Sequence, residues 1–95
     1  MNCSRVVFSG HALRRMFERS VSVSEVQAVF DTGEIVASYL DDRPYPSWLM
    51  LGVVAGRPVH VVAARDGADG ACYVITACEP TGDLWEADFK ARKPT

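Results

Sequence analysis

The chain has no apolar run of the roughly 18 residues that a membrane-spanning helix needs. Its start also lacks the apolar core of a secretory leader, because Arg5 and the polar Ser9-Gly10-His11 come early. A cytoplasmic protein is the expectation. Cysteine is scarce: Cys3, Cys72 and Cys78 are odd in number and show no C-x-x-C spacing, so reduced thiols are expected rather than a disulfide framework. His11 and His60 combined with Cys72 or Cys78 match no standard metal spacing, and no metal or cofactor is expected. Lysine is confined to Lys90 and Lys93, and the net charge is −2. A surface that is basic all over is thereby excluded, since non-specific nucleic-acid affinity comes mostly from cations that displace counterions. A local patch is still compatible with this balance, because Arg5, Arg14, Arg15 and Arg19 cluster in the first third. No internal repeat or low-complexity segment interrupts the chain. Its 95 residues, 48% of them hydrophobic, suit one small domain spanning 1–95 with a core of its own.

What is present is organised around the stretch from Trp48 to Glu79. Trp48 to Val54, Val59 to Arg65 and Cys72 to Glu79 read as three strands. Gly56-Arg57-Pro58 and Asp66-Gly67-Ala68-Asp69-Gly70 join them by turns. Connections this short require antiparallel neighbours. Alternation puts Val59, Val61 and Ala63 on one face and His60, Val62 and Ala64 on the other. On the third strand it groups Cys72, Val74, Thr76 and Cys78 opposite Tyr73, Ile75, Ala77 and Glu79. Both faces are largely apolar, so both should be at least partly covered.

Two helices are expected before the meander. Ser9 is a plausible N-cap for a helix from about Gly10 to Arg19, with Ala12, Leu13, Met16 and Phe17 as its apolar stripe. His11, Arg15 and Arg19 fall in a row along one edge of that stripe. Ser22 and Glu25 form a capping box for a second helix, which buries Val26, Val29 and Phe30 and ends at Gly33 in a left-handed cap. Glu34 to Leu40 adds a strand, and Asp41 to Ser47 is a loop stiffened by Pro44 and Pro46. Leu84 to Ala91 reads as a short final helix with Trp85 and Phe89 packed as core. The expected order is ααβββ-β-α, or βααββββα if Arg5 to Phe8 pairs.

The pieces His11-Ala12-Leu13-x-Arg15-Met16-x-x-Arg19, Gly33-Glu34-Ile35, Pro44-Tyr45-Pro46-Ser47, Arg57-Pro58-Val59-His60, Ile75-Thr76-x-x-Glu79-Pro80 and Phe89-Lys90-x-Arg92-Lys93 together resemble the DUF4258 family, over Gly10 to Lys93. That family looks like a branch of the RelE/ParE-like toxin superfamily. The resemblance implies an α+β fold, with two N-terminal helices packed on a curved antiparallel sheet of about four strands and a short C-terminal helix. It also implies similarity to an MqsR-like toxin, with a YgiT/MqsA-type zinc-finger antitoxin as partner. One departure stands out: two residues before Pro80, where the family commonly has Tyr, this chain has Cys78.

RelE-like ribonucleases use no metal; the 2′-hydroxyl attacks its own phosphate, assisted by a general base, a general acid and cations. The residues of the right types are His60 and His11 for acid or base, and Arg15, Arg19 and Arg92 for binding RNA phosphates. The structural readings of the same residues are a core histidine, an ordinary helix residue, ion pairs to acids such as Glu79, and a solvated tail. The leading expectation is a toxin-type endoribonuclease. The alternatives are a non-catalytic protein-interaction module and a ParE-like inhibitor of a protein target. Tyr45 and Trp48 are candidates for stacking on bases beside their packing role.

Overall fold

Serine side chains start both helices. Ser9 Oγ accepts the Ala12 backbone N–H at 3.0 Å, and Ser22 Oγ accepts that of Glu25 at 3.1 Å. Glu25 returns the favour by accepting the Ser22 N–H at 2.9 Å, which closes the capping box. The computed structural model describes residues 1–94. Its elements are β1 (Val6–Phe8), α1 (Gly10–Glu18), α2 (Val23–Thr32), β2 (Glu34–Tyr39), β3 (Ser47–Val54), β4 (Arg57–Arg65) and β5 (Cys72–Cys78). Among the described residues, no helix is long and apolar enough to cross a membrane.

The five strands form one sheet in the order β1-β5-β4-β3-β2. The meander β2 to β5 is antiparallel, but β1 runs parallel to β5, with Val6 opposite Cys72 and Phe8 opposite Val74. The sheet is therefore mixed and five-stranded, which corrects the expected antiparallel sheet of about four strands. The parallel pair escapes a local reading because its partners are more than 60 residues apart in the chain. It also overturns the expectation of reduced thiols at two positions: Cys3, carried in beside β5, is joined to Cys72 in a disulfide, and Cys78 is free.

The expected C-terminal helix is absent. Residues 81–93 instead make a succession of turns closed by an isolated bridge between Trp85 and Arg92. Phe89 has a positive φ of 57° there, which turns the segment back on itself in a way no helix allows.

Both helices lie on one face of the sheet. Their Ala12, Met16, Val26, Val29 and Phe30 pack with Met50, Val59, Val61, Ala63, Val74 and Ala77 into a single buried cluster. Gly33 ends α2 with extended backbone, φ −75° and ψ 171°, and not in the left-handed cap that the sequence suggested. Glycine is required there by space: a Cβ would sit 2.5 Å from the Val29 carbonyl oxygen and 2.8 Å from that of Leu51. The β3–β4 hairpin turns on Ala55 and Gly56, both at positive φ, the two-residue geometry whose twist matches its strands.

Arg57, at the start of β4, ties the layers together. Its guanidinium donates to Glu25 of α2, to Glu79 after β5 and to the Ser20 carbonyl between the helices. Glu79 thus pairs with Arg57, and not with Arg15 or Arg19.

Candidate functional site

The face of the sheet turned away from the helices is where His60 points. A β-bulge decides what joins it. Val62 pairs with Thr76 but Ala63 pairs with Val74, so Ile75 is an extra residue and the alternation of β5 flips at that point. Cys72, Val74 and Ala77 go to the core, whereas Tyr73, Thr76 and Cys78 share the face of His60. The uninterrupted alternation read from the sequence grouped Cys72, Val74, Thr76 and Cys78 together, and the bulge corrects that. His60 and Cys78 are direct cross-strand partners.

The C-terminal turns lie over this face. His60 is 3% exposed, and its Nε2 is 2.7 Å from the carbonyl oxygen of Phe89. A carbonyl can only accept, so Nε2 carries the proton and Nδ1 of the neutral ring holds the lone pair. Burial pushes the His60 pKa below its ordinary value, and the bond to Phe89 opposes this only in part. Among the described residues no buried side-chain nitrogen or oxygen lacks a hydrogen-bond partner, and Nδ1 makes no such bond, so Nδ1 is not wholly enclosed, and His60 lines an adjoining cavity.

That cavity, of about 330 Å³, is lined by Tyr39, His60, Thr76, Cys78, Trp85 and Arg92 among others. Trp85 meets His60 edge-on at a centroid distance of 4.5 Å, and the Arg92 guanidinium lies 5.6 Å from the Trp85 ring centre. Lys90 is anchored to Glu34 at 2.9 Å, which holds the covering segment to the edge strand β2. Arg19, just past the end of α1, reaches β5 beyond the end of β1. Its Nη1 donates to Thr76 Oγ1 at 2.8 Å and toward the Ala77 carbonyl at 3.4 Å.

A family model described as a domain of unknown function, DUF4258, matches residues 8–79. The chain belongs to the DUF4258 family. No curated protein and no solved structure matches it. The DUF4258 region runs from the end of β1 through β5 and contains His60, Thr76, Cys78 and Arg19. The covering segment with Trp85, Phe89 and Arg92 follows it.

Of the residues nominated from the sequence, three converge in this DUF4258 chain. His60 and Arg92 line one cavity, and Arg19 is bonded to a third lining residue, Thr76. His11 and Arg15 do not join them. Both are exposed on α1, which packs on the opposite face, so the sheet stands between them and the His60 ring. Neither makes an ion pair among the described residues. The bulge separates Thr76 and Cys78 from Cys72 and Val74 and puts both with His60; sequence reasoning did not nominate Thr76 and singled out Cys78 only as a departure from the family pattern. It assigned Trp85 to a core helix, although the spacing of Trp85 from Arg92 across two turns is what sets it over His60. A neutral imidazole with an open lone pair, a hydroxyl, a thiol and the Arg92 guanidinium, with Arg19 held behind Thr76, make a site suited to taking a proton beside an anion.

Proposed function

We propose that this chain is a metal-independent endoribonuclease that acts at the His60 cavity. By the family resemblance it is the toxin of a toxin–antitoxin pair, with a YgiT/MqsA-type zinc-finger protein as antitoxin. The observation that supports the reading is the convergence of His60, Arg92 and the Arg19–Thr76 pair on one cavity of about 330 Å³. In this reading the 2′-hydroxyl of the bound nucleotide attacks the adjacent phosphorus and His60 Nδ1 takes its proton. Arg92 and Arg19 hold the charge of the phosphorane. The bond to the 5′-oxygen breaks, and that oxygen takes a proton from water, leaving a 2′,3′-cyclic phosphate.

The test is incubation of the purified chain with end-labelled RNA in the presence of a chelator. Wild type is expected to give fragments ending in cyclic phosphate. His60→Gln keeps a donor for the Phe89 carbonyl and removes the base, and the rate is expected to fall by roughly 10²–10⁴-fold. Arg92→Ala is expected to weaken RNA binding and leave the fold unchanged. A His60→Gln protein that cleaves at the wild-type rate would remove the assignment.

A second reading, the non-catalytic interaction module, is favoured by one specific surface. On α1, Phe17 is 86% exposed and Leu13 is exposed beside it, flanked by Arg14 and Arg15. An apolar stripe rimmed by arginines fits an acidic amphipathic segment of a protein partner. It lies on the face opposite His60, so partner binding there and chemistry at the cavity are compatible.

A further inference from the structure

The face that carries His60 has a second cavity, of about 520 Å³, lined by Asp42, Arg43, Tyr45, Ala64, Tyr73 and neighbours. Ala64 lies two residues along β4 from Val62, which lines the first cavity, and Tyr73 is the cross-strand partner of Ala64. Lining residues of the two cavities are therefore neighbours along the strand, Val62 and Ala64 standing one repeat of the pleat, about 7 Å, apart. That is the scale of one nucleotide step in an unstacked strand.

The rings of Tyr45 and Tyr73 are stacked, with centroids 5.6 Å apart and planes 13° from parallel. Both line the cavity, so it is built around an aromatic platform. The loop that brings Tyr45 there is ordered from within, because the buried Ser47 hydroxyl donates to Asp42 Oδ2. Asp42 Oδ1 accepts no hydrogen bond among the described residues. Asp66 and Asp69 lie close enough to Tyr45 to hold its phenol protonated, Asp66 most strongly. The cavity lining thus offers the Asp42 carboxylate beside one cation, Arg43, with the Asp66 carboxylate close by at the Tyr45 phenol, which is a poor match for a phosphate. It suits a flat ring that carries hydrogen-bond donors at its edge.

We propose that the Tyr45–Tyr73 cavity is a nucleobase subsite for the nucleotide next to the one at His60, preferring bases with an exocyclic amino group over uracil. The amino group donates to Asp42 Oδ1 while the ring stacks on the tyrosines. This inference rests on the RNA reading above.

The test uses 2′-O-methyl ribotrinucleotides, which lack the attacking hydroxyl, titrated calorimetrically into the full chain. The sequences carry adenine or uracil at either end. Wild type is expected to bind the trinucleotide with adenine at one particular end roughly tenfold more tightly than its uracil counterpart. Tyr45→Ala is expected to lose about tenfold in affinity, as removal of one stacking partner does, whereas Tyr45→Phe retains it. Binding that falls with Arg92→Ala but is indifferent to Tyr45→Ala and to the terminal base overturns the subsite and leaves the cleavage site standing. A wild-type chain that binds none of the trinucleotides overturns both.

Discussion

The two faces of the sheet are built on different terms. The face under α1 and α2 is dry: Val59, Val61, Ala63 and Met50 are fully buried and every neighbour in the cluster is apolar. The other face mixes His60, Thr76, Cys78 and Tyr73 with Leu49 and Leu51, and its cover is a stretch of turns joined to the sheet by the Phe89–His60 bond, the Trp85–His60 contact and the Lys90–Glu34 pair. Helices shield their own backbone groups and can press side chains onto a sheet without gaps. Turns cannot do so, and they leave cavities into which a polar group can open. The difference explains why the titratable residue sits on the second face. A histidine facing the helices would meet no carbonyl to satisfy it, whereas the turn at Phe89 presents one at 2.7 Å.

The sharpest way to break the comparison is to remove volume from the dry face. Met50 is wholly buried at the centre of the sheet, between β2 and β4 and under the helices. Met50→Ala is expected to cost about 2–5 kcal/mol in chemical denaturation, lost transfer energy plus a cavity that the packed layer cannot close. For a chain of this size such a loss is a large share of total stability. A cost under 1 kcal/mol would mean that the helical layer collapses easily and that the two faces are alike after all.

A pH titration sharpens the comparison from the other side. Burial holds the His60 pKa below the ordinary histidine value of about 6.5. Between those two values the unfolded chain binds a proton that the folded chain does not, so stability rises with pH. It is therefore expected to fall as pH drops below about 6.5, until the folded ring itself protonates. Glu25 acts in a separate, lower window. Its pKa is lowered chiefly by the Ser22 backbone N–H, so its contribution is present above the ordinary carboxylate value and is lost in more acid solution. Denaturation midpoints from pH 7.5 to pH 5.5 should decline in the wild type and decline less in His60→Gln. Parallel curves would place the proton uptake elsewhere.

Much of the dry face was legible in the sequence, because its signals are local. The Ser22–Glu25 capping box, the period of Val26, Val29 and Phe30, and the alternation of Val59, Val61 and Ala63 each lie within a few residues. The open face was not legible, for three physical reasons. The parallel β1–β5 pair joins segments distant in the chain, which no turn chemistry announces. The bulge at Ile75 depends on how β4 and β5 settle against each other, and one inserted residue reverses every later side chain. The segment from Leu84 to Ala91 has spacing that a helix tolerates, but tertiary contacts of Trp85 and Phe89 with His60 win over that weak local preference. The candidate site inherits these gaps. His60, Arg19 and Arg92 were nominated by residue type, and Thr76, Cys78 and Trp85 depended on the very features that local reasoning misses.

The smallest expected effect concerns the outer side of the helical layer. Phe17 lies one residue from the buried Met16, yet it is 86% exposed, so the boundary between dry interior and solvent falls within a single step of α1. Phe17→Ser should then change stability by no more than about 0.5 kcal/mol, the usual range for surface positions away from special features. Near-neutrality would show that the ring contributes nothing to the folded chain by itself, and a reason for a large aromatic at that place would then be sought outside the fold. A partner that covered α1 would supply one, since burying an aromatic ring among arginine stems at an interface is worth far more than leaving it in water. A cost above 1 kcal/mol would mean that Phe17 packs on its own chain, and the case for α1 as a docking surface would then rest on Leu13 and the arginines alone.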